Sequence, residues 1–376
     1  MSRSRARRVL RRAGVLAPLV GILAQLGVGP AVADPAVPTH YRSTVTEVVD
    51  AQGDPVDLDV EVLGGDTYLV VEVDEGVEVE VPGYDGEPYI RFSSDGEVEV
   101  NQRSPARWLN DARYGSADVD MPPHADVDAP PDWEPVAHDG VYAWHDHRIH
   151  FMSPALPSQV DPRSDEVQEI WDWEVPITVD GEEAVIVGEL VWVPGTGLAL
   201  PALALVVAIA LGVVLARRIG GDPLVLLAAA ATLVLAATNN LGLPPGADRY
   251  PALWVLPALA VGVLAAGRWR SRTDQVAGPL LRALAAVPPA VGAFLLIGAL
   301  TRPSVPGLLP TAATRTLVVA ILAASVASLV PQLTQVWAAS SLDVGPGERT
   351  ETETGTEADA AHEPGRRAAT SDTDSG

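Results

Sequence analysis

The sequence predicts a two-part fold: an extracytoplasmic antiparallel β-sandwich over residues 34–197, then an α-helical membrane domain of about five spans over residues 198–340. Three observations predict it. Acidic residues crowd the first part, where 37 Asp and Glu face seven arginines, and fall to three in the second. Short runs of alternating apolar and polar residues recur through the first part, broken by Gly- and Asp-containing turns at the spacing of an all-β domain. The second part reads instead as apolar blocks long enough to cross a bilayer.

The elements follow in chain order. Residues 1–33 have the layout of a secretory signal: Arg3, Arg5, Arg7, Arg8, Arg11 and Arg12, then an apolar stretch from Ala13 to Val28, then Ala31-Val32-Ala33 before Asp34. An uncleaved anchor helix is the alternative. Val56–Val62 and Tyr68–Val73 flank Gly64-Gly65, which predicts a hairpin, and Val77–Val81 alternates as a half-buried strand does. Tyr89–Phe92 and Val98–Asn101 flank Ser94-Asp95-Gly96; Trp173–Val179 and Ala184–Val193 flank Asp180-Gly181. Both read as further hairpins. Between them, residues 102–165 are rich in Pro, Asp and aromatics and poor in strand signals, the texture of a long functional or covering loop. Membrane spans are expected at about 198–216, 224–243, 250–266, 283–300 and 317–336. Asn239 and Asn240 sit near the end of the second and suit hydrogen bonds between helices. Arg217, Arg218, Arg268, Arg270, Arg272 and Arg282 fall on one side of these spans and only Arg249, Arg302 and Arg315 on the other. By the positive-inside rule this places the protein in the plasma membrane as a multi-pass chain, its N-terminal domain outside and its C-terminus in the cytoplasm. Residues 341–376 are Thr-, Glu-, Gly- and Asp-rich and predict a disordered acidic tail.

Composition excludes several functions. The chain has no cysteine, which removes disulfides and thiolate metal sites. All 25 basic residues are arginine, and the formal net charge is −24, which argues against nucleic acid as a partner. Membrane lipid and another envelope protein are the expected partners. Residues 198–340 hold no His, Met or Lys, and the expected spans contain no carboxylate, so ion-coupled transport finds no ionisable residue to use. A packed anchor or partner-binding platform is expected there.

The densest chemistry lies in Trp144-His145-Asp146-His147-Arg148-Ile149-His150-Phe151-Met152, which holds three of the seven histidines. As a strand, it would put His145 and His147 on one face and His150 and Met152 on the other. A His-x-His pair chelates one ion, with a third ligand expected from His124 or His138; as a helix, His147 and His150 would pair instead. Imidazoles with a thioether suit copper, and imidazoles with a carboxylate such as Asp146 suit zinc. The competing reading is a buried hydrogen-bonded network of Trp144, Asp146 and Arg148 pinning an irregular loop. No catalytic residue is nominated, because no nucleophile elbow, cysteine nucleophile or defensible acid pair is present. Trp171 and Trp173 among Glu166, Glu169, Asp172 and Glu174 allow a carbohydrate-binding face, though a core tryptophan with carboxylates on the opposite strand face is the plainer account.

Three motifs, GYDGEPYIRF at 83–92, NQRSPARWLND with RYG at 101–115, and YAWHDHRIHFM at 142–152, resemble a family of uncharacterised actinobacterial membrane proteins. The resemblance spans the chain from signal to last span and implies an envelope location and a shared exported β-rich fold; it implies no activity. Phe151 stands where that family suggests tryptophan. The second motif concentrates Arg103, Trp108, Asn110, Asp111, Arg113 and Tyr114, and this loop is expected either to pack on the Trp144–Met152 loop or to stand alone on Trp108 and Tyr114. The function expected is a non-enzymatic binding or assembly module anchored in the envelope. The alternatives are a copper- or zinc-binding surface protein using the histidine cluster, and a hydrolase acting on wall material.

Overall fold

A computed structural model describes residues 35–342 except 112, 115–118 and 120. The signal expected at 1–33, and the tail expected at 341–376 from residue 343 on, lie outside the described residues. The N-terminal part is two antiparallel sheets. The strands are β1 (Tyr41–Asp50), β2 (Asp59–Leu63), β3 (Tyr68–Glu72), β4 (Val79–Pro82), β5 (Pro88–Phe92), β6 (Val98–Asn101), β7 (Trp133–Ala137), β8 (Val141–Trp144), β9 (Gln168–Val179) and β10 (Glu182–Trp192), with one short helix, α1 (Pro105–Leu109). Seven strands order as β1-β10-β9-β4-β5-β6-β7 and three as β2-β3-β8. Leu69, Val71 and Trp144 of the small sheet share one core with Val79, Ile90, Phe92, Val175 and Ile186 of the large one.

The hairpins expected at Gly64-Gly65, Ser94-Asp95-Gly96 and Asp180-Gly181 all form. Asp180 and Gly181 take φ of 51° and 83°, the two left-handed positions of a tight turn that matches strand twist. β9 shows how sequence spacing becomes burial. Trp173, Val175 and Ile177 alternate inward, while Asp172, Glu174 and Pro176 face water. Ile170 is out of phase with them, yet it is buried, because a bulge opposite Leu190 and Val191 inserts one residue and returns it to the core. Trp173 is therefore core, and Trp171, half-buried, meets Phe151 at 5.8 Å between ring centroids.

Residues 102–165 contain more order than expected. β7 completes the large sheet beside β6, and β8 pairs with β3. Their strand signals are weak because Pro135 interrupts the first and the second is only four residues long.

The C-terminal part is helical: α2 (Ala199–Ile219), α3 (Asp222–Asn240), α4 (Pro251–Arg270), α5 (Ala277–Leu284), α6 (Val287–Leu295), a 3-10 turn (Ile297–Leu300) and α7 (Thr311–Leu342). Five segments are long and apolar enough to span a membrane: 199–219, 222–240, 251–270, 277–295 and 311–339. The fourth starts earlier and ends earlier than the expected 283–300. It breaks between α5 and α6 just before Pro288-Pro289, where missing amide donors stop a continuous helix. Asn239 and Asn240 donate back to Leu235 and Ala236 of their own helix, and Asn240 Oδ1 also accepts from the Tyr250 amide at the start of α4 at 2.6 Å, the expected bond from one helix to the next.

One expectation is overturned. A carboxylate does lie inside a span: α3 begins at Asp222, which is buried. Its oxygens accept from Arg268 Nε at 2.7 Å, Arg282 Nε at 2.8 Å and Gln332 Nε2 at 3.1 Å, joining α3 to α4, α5 and α7. Two guanidiniums compensate the buried charge, which alone would be too costly.

The two parts are packed together through two loops. In the α3–α4 loop, Pro245 O accepts from the Ala143 amide of β8 at 2.8 Å, and the Asp248 amide donates to the Tyr68 hydroxyl at 3.1 Å. Gly246, at φ +86°, lies so close to Ala143 that a Cβ would overlap its carbonyl oxygen. Before α7, Thr39 and Ser304 exchange backbone bonds and Arg302 donates to Pro38 O at 2.7 Å. Both loops therefore meet the small sheet and its surroundings, the side that carries the histidines.

Candidate metal centre

The histidine segment is neither the strand nor the helix expected from its sequence. β8 ends at Trp144, and the chain turns at once. Asp146 makes the turn: its Oδ1 accepts from the Arg148 amide at 3.0 Å and Nε at 2.8 Å, and its Oδ2 from Trp144 Nε1 at 2.8 Å and an Arg148 terminal nitrogen at 2.7 Å. An aspartate that bonds the backbone two residues on replaces extended pairing with a local loop. Ile149, fully buried, fixes the far side in the core. This reversal brings His150 round to His145 and His147 instead of sending it to an opposite face. Their ring centroids lie 4.4 Å (145–150), 5.4 Å (147–150) and 6.0 Å (145–147) apart. One ring nitrogen from each lies within 4.8 Å of the other two.

The third histidine is thus His150, not His124 or His138. His124 stands edge-on to Trp108 at 5.5 Å, and His138 is exposed, 3.7 Å from Glu97. Met152 follows two residues after His150, half-buried.

Burial dominates the electrostatics. His145 Nε2 and both ring nitrogens of His150 are buried without a hydrogen-bond partner. Desolvation, with the Arg113 charge adding to it, pulls His145 down to about 3; burial pulls His150 well below the usual imidazole range. Both are therefore neutral at pH 7, the form that ligates metal. Burial alone would raise the Asp146 carboxyl, but the Arg148 guanidinium outweighs it and holds the group below its ordinary value. Burial pushes the Tyr84 phenol well up, so its proton stays.

That phenol joins the two loops. Tyr84 donates to Asn110 Oδ1 and accepts from the His147 amide at 2.9 Å, with the Arg148 guanidinium 5.2 Å over its ring. Asn110 caps the C-terminus of α1 and donates to the Tyr89 hydroxyl at 3.0 Å. Glu87 holds the other end of α1, accepting from Ser104 Oγ at 2.7 Å and the Ala106 amide at 3.3 Å. Trp108 donates to Gln102 O at 3.1 Å, and Arg107 pairs with Asp111 at 2.6 Å. Arg113 reaches back to the buried Asp66 at 2.7 Å. Arg103 works through its backbone, bonding Asn101 Oδ1 and Asp126 N. Tyr114 is exposed, 5.7 Å beneath the Arg113 guanidinium. The loop of residues 101–114 and the histidine turn are therefore one connected network, and its connector, Tyr84, sits in the first of the three sequence motifs. Tyr84, Tyr89, Asp66 and Glu87 carry no signal by spacing; only the fold brings them here.

Between the loops lies a cavity of about 330 Å³ whose wall includes His145, Arg107, Arg113, Tyr68, Tyr142 and Asp248. Chemically, the three imidazoles offer a trigonal face. A tetrahedral zinc with bonds of about 2.0–2.1 Å needs donors about 3.3 Å apart, so rings now within 4.8 Å must close by an ångström or so. Among the described residues no carboxylate joins the group. Compared with family models, with curated proteins and with solved structures, the chain matches none.

Proposed function

We propose that this is a multi-pass protein of the cell envelope whose β-domain faces outward and holds a transition-metal ion, zinc or copper, on His145, His147 and His150. The observation that carries the reading is the set of orphaned nitrogens. A structural network satisfies its polar groups, because each buried orphan costs about 1–3 kcal/mol. The Asp146–Arg148–Trp144 clasp obeys that rule, and the imidazoles beside it do not. A metal ion, taking one nitrogen from each ring, would satisfy one orphan on His145 and one on His150. The clasp and the triad are then scaffold and site, as metal ligands generally need an ordered surround. The distribution of arginines, heavy at the ends of α2 and α4 away from the β-domain, supports the outward orientation.

The role we assign is capture or sensing of the ion. The carboxylate beside the triad, Asp146, is held by Arg148 and Trp144 and not free to act as a general base, so hydrolysis of wall material has less support. An assembly role of the membrane part is compatible with this and would show as co-purification of a second envelope protein. The test is elemental analysis of the detergent-purified full chain after equilibration with Zn²⁺ or Cu²⁺. About one ion per chain is expected, lost in His145→Ala/His147→Ala with unchanged far-UV circular dichroism. Sub-stoichiometric metal that survives this double substitution refutes the reading.

A further inference from the structure

We propose that the metal's remaining position is taken by an exogenous small anion, a carboxylate, admitted through the cavity between the β-domain and the α3–α4 loop. This rests on the metal reading above and adds to it the class of ligand. The first support is a count of charge. Three imidazoles bring none, so a divalent ion keeps its full double charge in a buried site. The two nearby buried carboxylates are already committed: Asp66 to Arg113 and Asp146 to Arg148. An uncompensated divalent charge away from water is costly, and the ion sets the local electrostatics. The site therefore demands an anion that the triad does not contain.

The second support is the route. His145 is the one triad member in the cavity wall, and its Nε2 is a buried orphan. Arg107, which gives one terminal nitrogen to Asp111, and Arg113, which gives one to Asp66, stand on the same wall with the aromatic rings of Tyr68, Tyr89 and Tyr142. Guanidiniums bind carboxylates through directed, charge-assisted bonds, while ring faces cover an apolar body. Asp111 and Asp248 are the acids of this wall; Asp111 bonds Arg107, and neither falls among the metal-facing groups. Gly246 forms part of the rim, so a loop of the membrane domain closes the pocket.

The experiment uses Co²⁺ as a coloured substitute in the detergent-purified full chain, with acetate and azide as probes. Visible bands of four-coordinate Co²⁺ should appear and shift saturably as either anion is added. Arg107→Gln should weaken acetate about tenfold, the loss of one charge-assisted contact. If Co²⁺ gives no bands at all, the metal reading itself fails. If bands appear but ignore both anions, or change in Asp248→Asn without added anion, the fourth ligand belongs to the protein and the proposal is overturned. Unaltered acetate affinity in Arg107→Gln overturns the cavity route.

Discussion

Replacing His150 with leucine separates a metal site from a structural network by the sign of its effect. His150 is fully buried, and neither ring nitrogen has a partner. At about 1–3 kcal/mol for each of its two orphans, the imidazole costs the metal-free protein about 2–6 kcal/mol relative to an apolar side chain of similar bulk. Leucine forfeits the ring contact with His145, at 4.4 Å between centroids, and imperfect packing takes back about 1 kcal/mol. The metal-free variant should therefore be more stable than the parent by about 1–5 kcal/mol. Zinc acts in the opposite direction, since an ion at a hundred times its Kd stabilises the parent by about 2.7 kcal/mol and leaves the variant untouched. The assay is thermal unfolding of the detergent-purified full chain, followed by tryptophan fluorescence, first with a chelator and then with excess Zn²⁺. A variant that loses stability in chelator, alongside a parent that zinc does not shift, would refute the argument and restore a hydrogen-bonded network.

Three further outcomes are expected. Metal-free stability should fall as pH drops from about 6.5 towards 3, by about 1.4 kcal/mol per pH unit for each buried imidazole. The sign follows from folded values held below the unfolded one for His145 and His150: the unfolded chain takes up the protons first, and above pH 6.5 the contribution is fully present. His150→Leu should shallow that slope, and a flat profile between pH 6.5 and 5 in chelator would count against it. Asp146→Asn should cost about 2–3 kcal/mol by leaving the half-buried Arg148 without its counter-charge, with loss of metal following the loss of the turn; a stable, metal-competent variant on unfolding and metal analysis would contradict the clasp. Gly246→Ala should lower the melting temperature, because its Cβ has no room beside Ala143 and its φ is +86°. Gly262→Ala, in α4 with nothing nearby, is the control and should be neutral or mildly stabilising.

Much of the architecture is local and was legible. Hairpin turns are written in adjacent residues, as at Asp180-Gly181, and membrane-length helices in continuous apolar runs such as Leu198–Ala216. What escaped was non-local or overruled. β7 and β8 have sequences too short or too interrupted to declare themselves, and their pairing with β6 and β3 supplies the order. The histidines alternate as a strand would, but one carboxylate, Asp146, bonds its own backbone and defeats the alternation. The composition of the site was visible; its convergence was not. Tyr84 lies some sixty residues before His147; the motif around it, GYDGEPYIRF, was visible, but its place as the bolt between two loops was not. Asp222 was missed because the span begins at the acid itself.

That acid also imposes an order in time. Asp222 leaves the ribosome before Arg268, Arg282 and Gln332, the three side chains that bond it. Its partners lie in the third, fourth and last segments, so its helix has all of them only once the last has been inserted. The knot tying α3, α4, α5 and α7 closes only when translation has passed Gln332, so a chain truncated before that residue holds an incomplete lock. Arginine at 268 and 282 gives the early intermediate partial cover, and the amide of Gln332 completes it. For a bundle whose first helix, α2, buries little beyond Ala216, this late closure sets the moment at which a string of inserted helices becomes one body.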